Sequence, residues 1–233
     1  MQKGLSLHSG GLMYGELFHR EISERALTHY VDRADLGRAY YPGKDCDAIT
    51  FLQEQVWRQD AIDKHDFIGF KRFGESVNCP GSERFYDRLR AVGDVHYLHI
   101  KRENLLHSCV SLLLARSTKK WVGEQYFEEK TDIKKLSLDA KELESYFSTI
   151  LDNDRFFESM FADGHYMPVS YTNLSNDYQG VFRSIYEFLD VPVDVSEPPI
   201  QKQNKNRMSE IVKNYKQLKN KFKNTDYGQY FDE

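Results

Sequence analysis

Residues 94–116, DVHYLHIKRENLLHSCVSLLLAR, read as a buried strand that turns sharply into an amphipathic helix. Val95, Tyr97, Leu98 and Ile100 form a short β-prone apolar run. It breaks at Lys101-Arg102-Glu103, and Asn104 is placed to cap the next helix. Leu105, Leu106, Cys109, Leu112, Leu113 and Arg116 then recur at helical spacing. In open α/β sheets, ligands bind beyond the carboxyl ends of the strands, against helix N-termini. A Lys-Arg pair at that point, with Ser108 and Ser111 on the next helix, has the makings of an anion site. The cations bring charge, the helix start brings free N–H groups, and the hydroxyls bring further donors. The plain alternative is a solvated strand end with two small packing serines.

Working outward, Phe67–Phe73 is a second strand and also ends in Lys-Arg, Lys71 and Arg72. Tyr166–Tyr171 is a third, with Pro168 confining it to an edge or a strand start. Helices are expected over Ser23–Val31, Asp45–Gln59, Ser82–Val92, Leu138–Phe161, from Asn173 or Ser175 to Leu189, and over Ser209–Phe222. Gly93 stops the Ser82 helix. Arg33–Lys44, Gly74–Gly81 and Ser117–Asp132 read as irregular. Residues 1–13 read as a helix end broken at Gly10-Gly11, followed by a short apolar-aromatic piece, Tyr14–His19. Strands alternating with helices imply a mostly parallel sheet covered on both faces. Lys71, Arg72, Lys101 and Arg102 are then expected to converge on one sheet edge, as a polyanion such as a nucleotide phosphate requires.

The bulk composition bounds the rest. The chain has 233 residues, 40% hydrophobic and 14% aromatic, which suits one globular domain over residues 1–233. A net charge of −4 argues against general nucleic-acid binding. Lys202–Lys223 runs the other way, with eight basic residues and one acid, Glu210. Its lysines from Lys213 onward suit the wet face of a helix, whereas Lys202 and Lys205 precede that helix. Cys46, Cys79 and Cys109 lie far apart and suggest a reducing compartment, so a cytoplasmic location is expected. His96 and His99 point to opposite faces of their strand and cannot share a metal. No apolar run reaches membrane-span length, and no signal peptide is visible.

Five segments in order resemble a sulfotransferase of the bacterial carbohydrate type. They are YGELFH (14–19), IGFKRF (68–73), LHIKRENLLHSCVSLLLAR (98–116), VSYTNLSNDYQGVFRSIYEFLDV (169–191) and QKQNKNRMSEIVKNYKQL (201–218). The resemblance implies a nucleotide-kinase-like, P-loop-like α/β fold and sulfuryl transfer from 3′-phosphoadenosine 5′-phosphosulfate (PAPS) to an acceptor hydroxyl, on a carbohydrate, without a metal. It implies a 3′-phosphate site at Arg102 and Ser111, with Ser108 the competing serine, and a nucleotide-closing loop at Lys202 and Gln203. It implies Lys71 as the cation for the leaving group and Glu16 as the base, with His19 the alternative base. Glu16 pairing with Arg20 or capping a helix, and Lys71 as a solvated strand end, are the structural alternatives. Thr172 stands where the family has an acid.

The family's first strand and 5′-phosphosulfate loop have no match here; Ser9-Gly10-Gly11 shares only some of the letters. About twenty residues are expected to be missing, from ordinary strand, loop and helix lengths. A shortened chain is the expectation, with completion by a partner chain, or an inactive relative that binds nucleotide or sulfated glycan, as the alternatives. A kinase would need carboxylate-held Mg²⁺ and a phosphate-loop motif, and neither is legible.

Overall fold

The computed structural model describes residues 1–17, 48–72, 82–118, 135–162, 165–197 and 207–232. The Ser23 helix, the loops over 33–44 and 74–81, most of 117–132, and the side chains of His19, Lys202 and Gln203 lie outside these residues.

Helix α1 (Gln2–Leu5) leads into strand β1 (Gly11–Glu16). Helix α2 (Ala48–Phe51) passes into a π-helical turn, Leu52–Val56, and is followed by α3 (Gln59–Ile62) and β2 (Phe67–Lys71). Then come α4 (Ser82–Arg90), β3 (Tyr97–Lys101), α5 (Leu105–Thr118) and the long α6 (Ala140–Met160). Strand β4 (Tyr166–Ser170) runs into α7 (Tyr171–Asn176) and α8 (Tyr178–Phe188). Helices α9 (Met208–Ile211) and α10 (Tyr215–Phe222) precede a closing 3₁₀ turn, Asp226–Phe231.

Among the described residues the strands form two parallel pairs, β1–β2 and β3–β4, rather than one ladder. Period-two alternation shows how the pairs relate. Leu12, Tyr14, Ile68, Phe70, Tyr97 and Tyr166 join one apolar cluster with α2, α4 and Phe161. Met13, Phe67, Leu98, Met167 and Val169 join a second, with α1 and α8. Both pairs contribute to both clusters, giving small parallel sheets packed with helices, as expected of an α/β protein. A third cluster packs α5 and α6 against α9, α10 and the 3₁₀ turn. At its centre Phe147 is fully buried, with the rings of Tyr230, Tyr227 and Phe222 at 4.9, 5.3 and 6.1 Å.

The three strands expected from the sequence form over Phe67–Lys71, Tyr97–Lys101 and Tyr166–Ser170. Strand β1 does not follow from the sequence reading. Its apolar residues are interrupted by Gly11 and Gly15, which weaken the strand signal. Gly11 is there for closeness: a Cβ would meet the Phe67 ring at 2.4 Å and the Leu5 carbonyl oxygen at 3.0 Å. Three expected helices are interrupted. The Asp45–Gln59 helix loosens where Trp57 N–H reaches back to the Leu52 carbonyl at 2.7 Å, a π-turn bond. The Asn173–Leu189 helix is two helices. Ser170 caps the first through the Asn173 N–H, and Asp177 caps the second through the Gly180 N–H. The Ser209–Phe222 helix breaks at Val212, which pairs with Leu136 in an isolated parallel bridge. There the Asn214 amide grips the Leu138 backbone, accepting from its N–H at 3.1 Å and donating to its C=O at 2.8 Å. Gly93 stops α4 as expected, at φ 75°.

Candidate anion site at the ends of strands β3 and β4

The register of β3 on β4 sets the site. Lys101 lies opposite Ser170 at the last rung. The next residues, Arg102 and Tyr171, meet directly: the Arg102 guanidinium carbon lies 3.9 Å from the centre of the Tyr171 ring. One step further, the Glu103 carboxylate accepts from the Thr172 hydroxyl at 2.7 Å and the Thr172 N–H at 3.3 Å. Partial burial pushes the Glu103 pKa up, but hydrogen bonds from Ser170 and Thr172 prevail and hold it below the ordinary glutamate value. Among the described residues no carboxylate pairs with Arg102 and no hydrogen bond occupies it. A stacked guanidinium keeps its in-plane N–H donors for an anion.

Helix α5 starts two residues after Glu103. Asn104 caps it, accepting from the His107 N–H at 3.0 Å, and donates its own amide to the Tyr230 carbonyl at 3.2 Å. The 3₁₀ turn is thereby seated on the start of the helix. Tyr215 and Lys219 hold that turn, donating to the Phe231 carbonyl at 2.7 and 2.9 Å. The two candidate serines separate. Ser108 Oγ is bonded to the Tyr146 hydroxyl of α6 at 3.0 Å. Ser111 is exposed, with no partner among the described residues.

Among the strand-end cations, Lys101, Arg102 and Arg72 each take a different partner, and adjacent residues at a strand end face opposite ways. Lys101 turns away from Arg102 to ion-pair with Glu158 of α6, and that bond raises its pKa. Arg72 lies over the rings of Phe85 and Tyr86 of α4, at 4.1 and 4.7 Å. Lys71 is the register partner of Glu16 at the carboxyl ends of β2 and β1, where the Leu17 N–H donates to the Lys71 carbonyl at 3.0 Å. The backbones of the two candidate catalytic residues are therefore adjacent.

A second tie fixes β3 from beneath. His99 is two residues before Lys101 and on the same face. Its Nε2 lies 3.1 Å from Asp154 Oδ1, and its Nδ1 lies 2.7 Å from the Tyr166 hydroxyl. With Nε2 protonated toward Asp154, Nδ1 accepts the Tyr166 O–H. Burial, reinforced by Glu158 and Asp154, pushes the Tyr166 pKa up to about 12. The His96 ring instead lies 4.3 Å from that of His165, tilted by 35°. The two histidines occupy different surroundings, as their spacing requires. Among the described residues, no group of three or more His, Cys, Asp or Glu could hold a metal ion, and no helix is long and apolar enough to cross a membrane.

Sequence reasoning did not identify Tyr171, Glu103, Asp154 or Glu158 as parts of the site. The signal for the first two was faint: YTNL follows β4 as KREN follows β3, and only the register aligns them. A separate groove of about 600 Å³ between α5 and α6, lined by Leu112, Arg116, Leu138 and Tyr146, contains none of the predicted site residues.

The fold and this strand-turn-helix arrangement define an α/β protein with an arginine poised at a parallel strand end. The family model for Stf0 sulphotransferases matches residues 79–218, more than half of the chain, and the chain belongs to that family. The matched span holds Arg102, Ser108, Ser111, Lys202 and Gln203, while Glu16, His19 and Lys71 precede it. No curated protein and no solved structure matches the chain.

Proposed function

We propose that the chain transfers a sulfuryl group from PAPS to a hydroxyl of a carbohydrate acceptor, on a nucleotide-kinase-like sheet in the cytoplasm. Membership of the Stf0 sulphotransferase family supports sulfuryl transfer in general. The observation that carries the donor reading is Arg102, stacked on Tyr171 at the end of β3 and beside the start of α5. In this reading Arg102 and Ser111 receive the 3′-phosphate. The Ser108 hydroxyl is occupied by Tyr146, which favours Ser111. Lys202 and Gln203 close over the nucleotide.

The chemistry needs few groups. The acceptor oxygen attacks sulfur in line, the new O–S bond forms, and the bond from sulfur to the 5′-phosphate oxygen breaks. Adenosine 3′,5′-bisphosphate leaves with the electron pair. As in phosphoryl transfer, catalysis is mainly positioning and stabilisation of spread negative charge. Glu16 accepts the hydroxyl proton, with His19 as the alternative base, and Lys71 stabilises the leaving phosphate. The Glu16–Lys71 register supports this assignment, because it sets the backbones of base and cation side by side at a strand end.

The test is transfer of labelled sulfuryl from PAPS to a panel of sugars by the unaltered chain and by Glu16→Gln. The expected result is labelled sugar from the first, turnover lower by about 10²–10⁴-fold in the second, and an unchanged nucleotide affinity. Equal turnover by both chains would remove Glu16 from the mechanism. Nucleotide binding with no transfer to any sugar would favour a binding role.

A further inference from the structure

We propose that Tyr171 is a positioning residue for Arg102, and that the Glu103–Thr172 clasp holds the two in register so that the guanidinium meets a phosphate already oriented. The inference rests on the reading of Arg102 as a phosphate-binding group. Its basis is geometric. Three consecutive rungs follow the β3–β4 register: Lys101 beside Ser170, Arg102 on Tyr171, and Glu103 bonded to Thr172. The outer rungs are tied by backbone pairing and hydrogen bonds, so the middle pair has little freedom to part. Ser170 also caps α7, accepting from the Asn173 N–H at 3.0 Å, and thereby fixes the backbone that carries Tyr171.

An arginine at a strand end ordinarily samples many rotamers, and a phosphate must select one of them. A ring 3.9 Å beneath the guanidinium selects it in advance. The stacking engages the flat face of the cation and leaves its edge donors for bidentate contact with a phosphate. Tyrosine suits the position because the contact is made by its ring. Lys101 cannot substitute, since it faces the other way and is held by Glu158.

The experiment measures binding of adenosine 3′,5′-bisphosphate and of adenosine 5′-monophosphate to the full chain by calorimetry. The variants are Tyr171→Phe, Tyr171→Leu, Arg102→Ala and the double variant Tyr171→Leu/Arg102→Ala. Loss of an exposed cation–π contact corresponds to about a two- to fivefold change in affinity. Tyr171→Leu is therefore expected to weaken the bisphosphate about two- to fivefold and leave the monophosphate unchanged. Tyr171→Phe should bind like the unaltered chain. In the Arg102→Ala background, Tyr171→Leu should have no further effect. A structural role would instead weaken binding equally in both backgrounds, and that result overturns the proposal.

If Arg102→Ala weakens the bisphosphate while Tyr171→Leu does not, the phosphate reading stands and the positioning role falls. If Arg102→Ala changes nothing, both fall. A measurement on the unaltered chain keeps the proposal testable should Tyr171→Leu not fold. The Arg102 Nε–H proton should resonate upfield of an ordinary arginine, shifted by the ring current of Tyr171. An ordinary position for it would overturn the stacking.

Discussion

Asp154 is the most informative residue to perturb, because it fixes β3 without itself being a candidate ligand group. Its carboxylate accepts from His99 Nε2 at 3.1 Å, and the two side chains are 16% and 17% exposed. Water therefore has little room to replace the bond. Asp154→Ala leaves the imidazole N–H without an acceptor, close to the Phe157 ring at 5.4 Å. An unsatisfied buried donor costs about 1–3 kcal/mol. For a chain of this length each kcal/mol lowers the melting temperature by about 2–4 °C, so a loss of 2 kcal/mol corresponds to about 4–8 °C. Asp154→Asn retains an acceptor oxygen and should cost less than about 1 kcal/mol if hydrogen bonding, rather than charge, is the main term. Urea denaturation of the two variants, with His99→Leu and the His99→Leu/Asp154→Ala double variant, measures these values and their coupling. Equal losses in Asp154→Asn and Asp154→Ala, or additivity in the double variant, would refute the reasoning.

The same geometry sets three further outcomes. Thr172→Val removes the hydroxyl donor to Glu103 and should cost about 0.5–1 kcal/mol at neutral pH, since the site is exposed and water competes. The sign with pH is fixed by the lowered Glu103 pKa: the clasp contributes above the ordinary glutamate value and loses that contribution as pH falls through the folded-state value. The stability gap between variant and unaltered chain should thus narrow as pH falls below the ordinary glutamate range, and a gap that stays constant in denaturation curves from pH 7 downward would contradict this. Ser108→Ala breaks the bond to Tyr146 and should lower stability by about 1 kcal/mol, whereas Ser111→Ala should leave the melting temperature unchanged and weaken adenosine 3′,5′-bisphosphate binding. Melting curves and calorimetry on the two variants separate these effects, and the reverse pattern would return Ser108 to the candidate phosphate site. Phe147→Ala should cost about 3–5 kcal/mol, because it empties a ring position enclosed by four aromatic neighbours; a loss below about 1 kcal/mol in urea denaturation would mean that the cluster collapses to fill it.

Local chemistry was legible in this sequence and register was not. Strands β2, β3 and β4 announce themselves as short apolar runs, and the Asn104 cap and Gly93 stop act where their side chains or conformational freedom require. The strand-turn-helix pattern points to the Lys101-Arg102 pair, and the family resemblance singles out Arg102. Lys101 and Arg102 part because adjacent residues at a strand end face opposite ways. This sends Lys101 to Glu158 and Arg102 to Tyr171. Tyr171 itself was hidden, since its role depends on which residue of β3 it faces across 69 positions of sequence. The interrupted helices share a cause. Asp177 and Asn214 sit in segments whose apolar spacing continues across the break, but their side chains bond to backbone groups that the break frees. Strand β1 is apolar enough to be buried at Leu12 and Tyr14, yet its glycines read as turn signals until the close packing against Phe67 and Leu5 is known.

The most direct test of the central claim is calorimetric titration of the chain with adenosine 3′,5′-bisphosphate, beside Arg102→Ala. Arg102 is read as the group that receives the 3′-phosphate. Saturable binding by the unaltered chain, lost or strongly weakened in a folded Arg102→Ala variant, is the predicted result. Equal affinity in the two chains, or no binding by the folded unaltered chain, would contradict it.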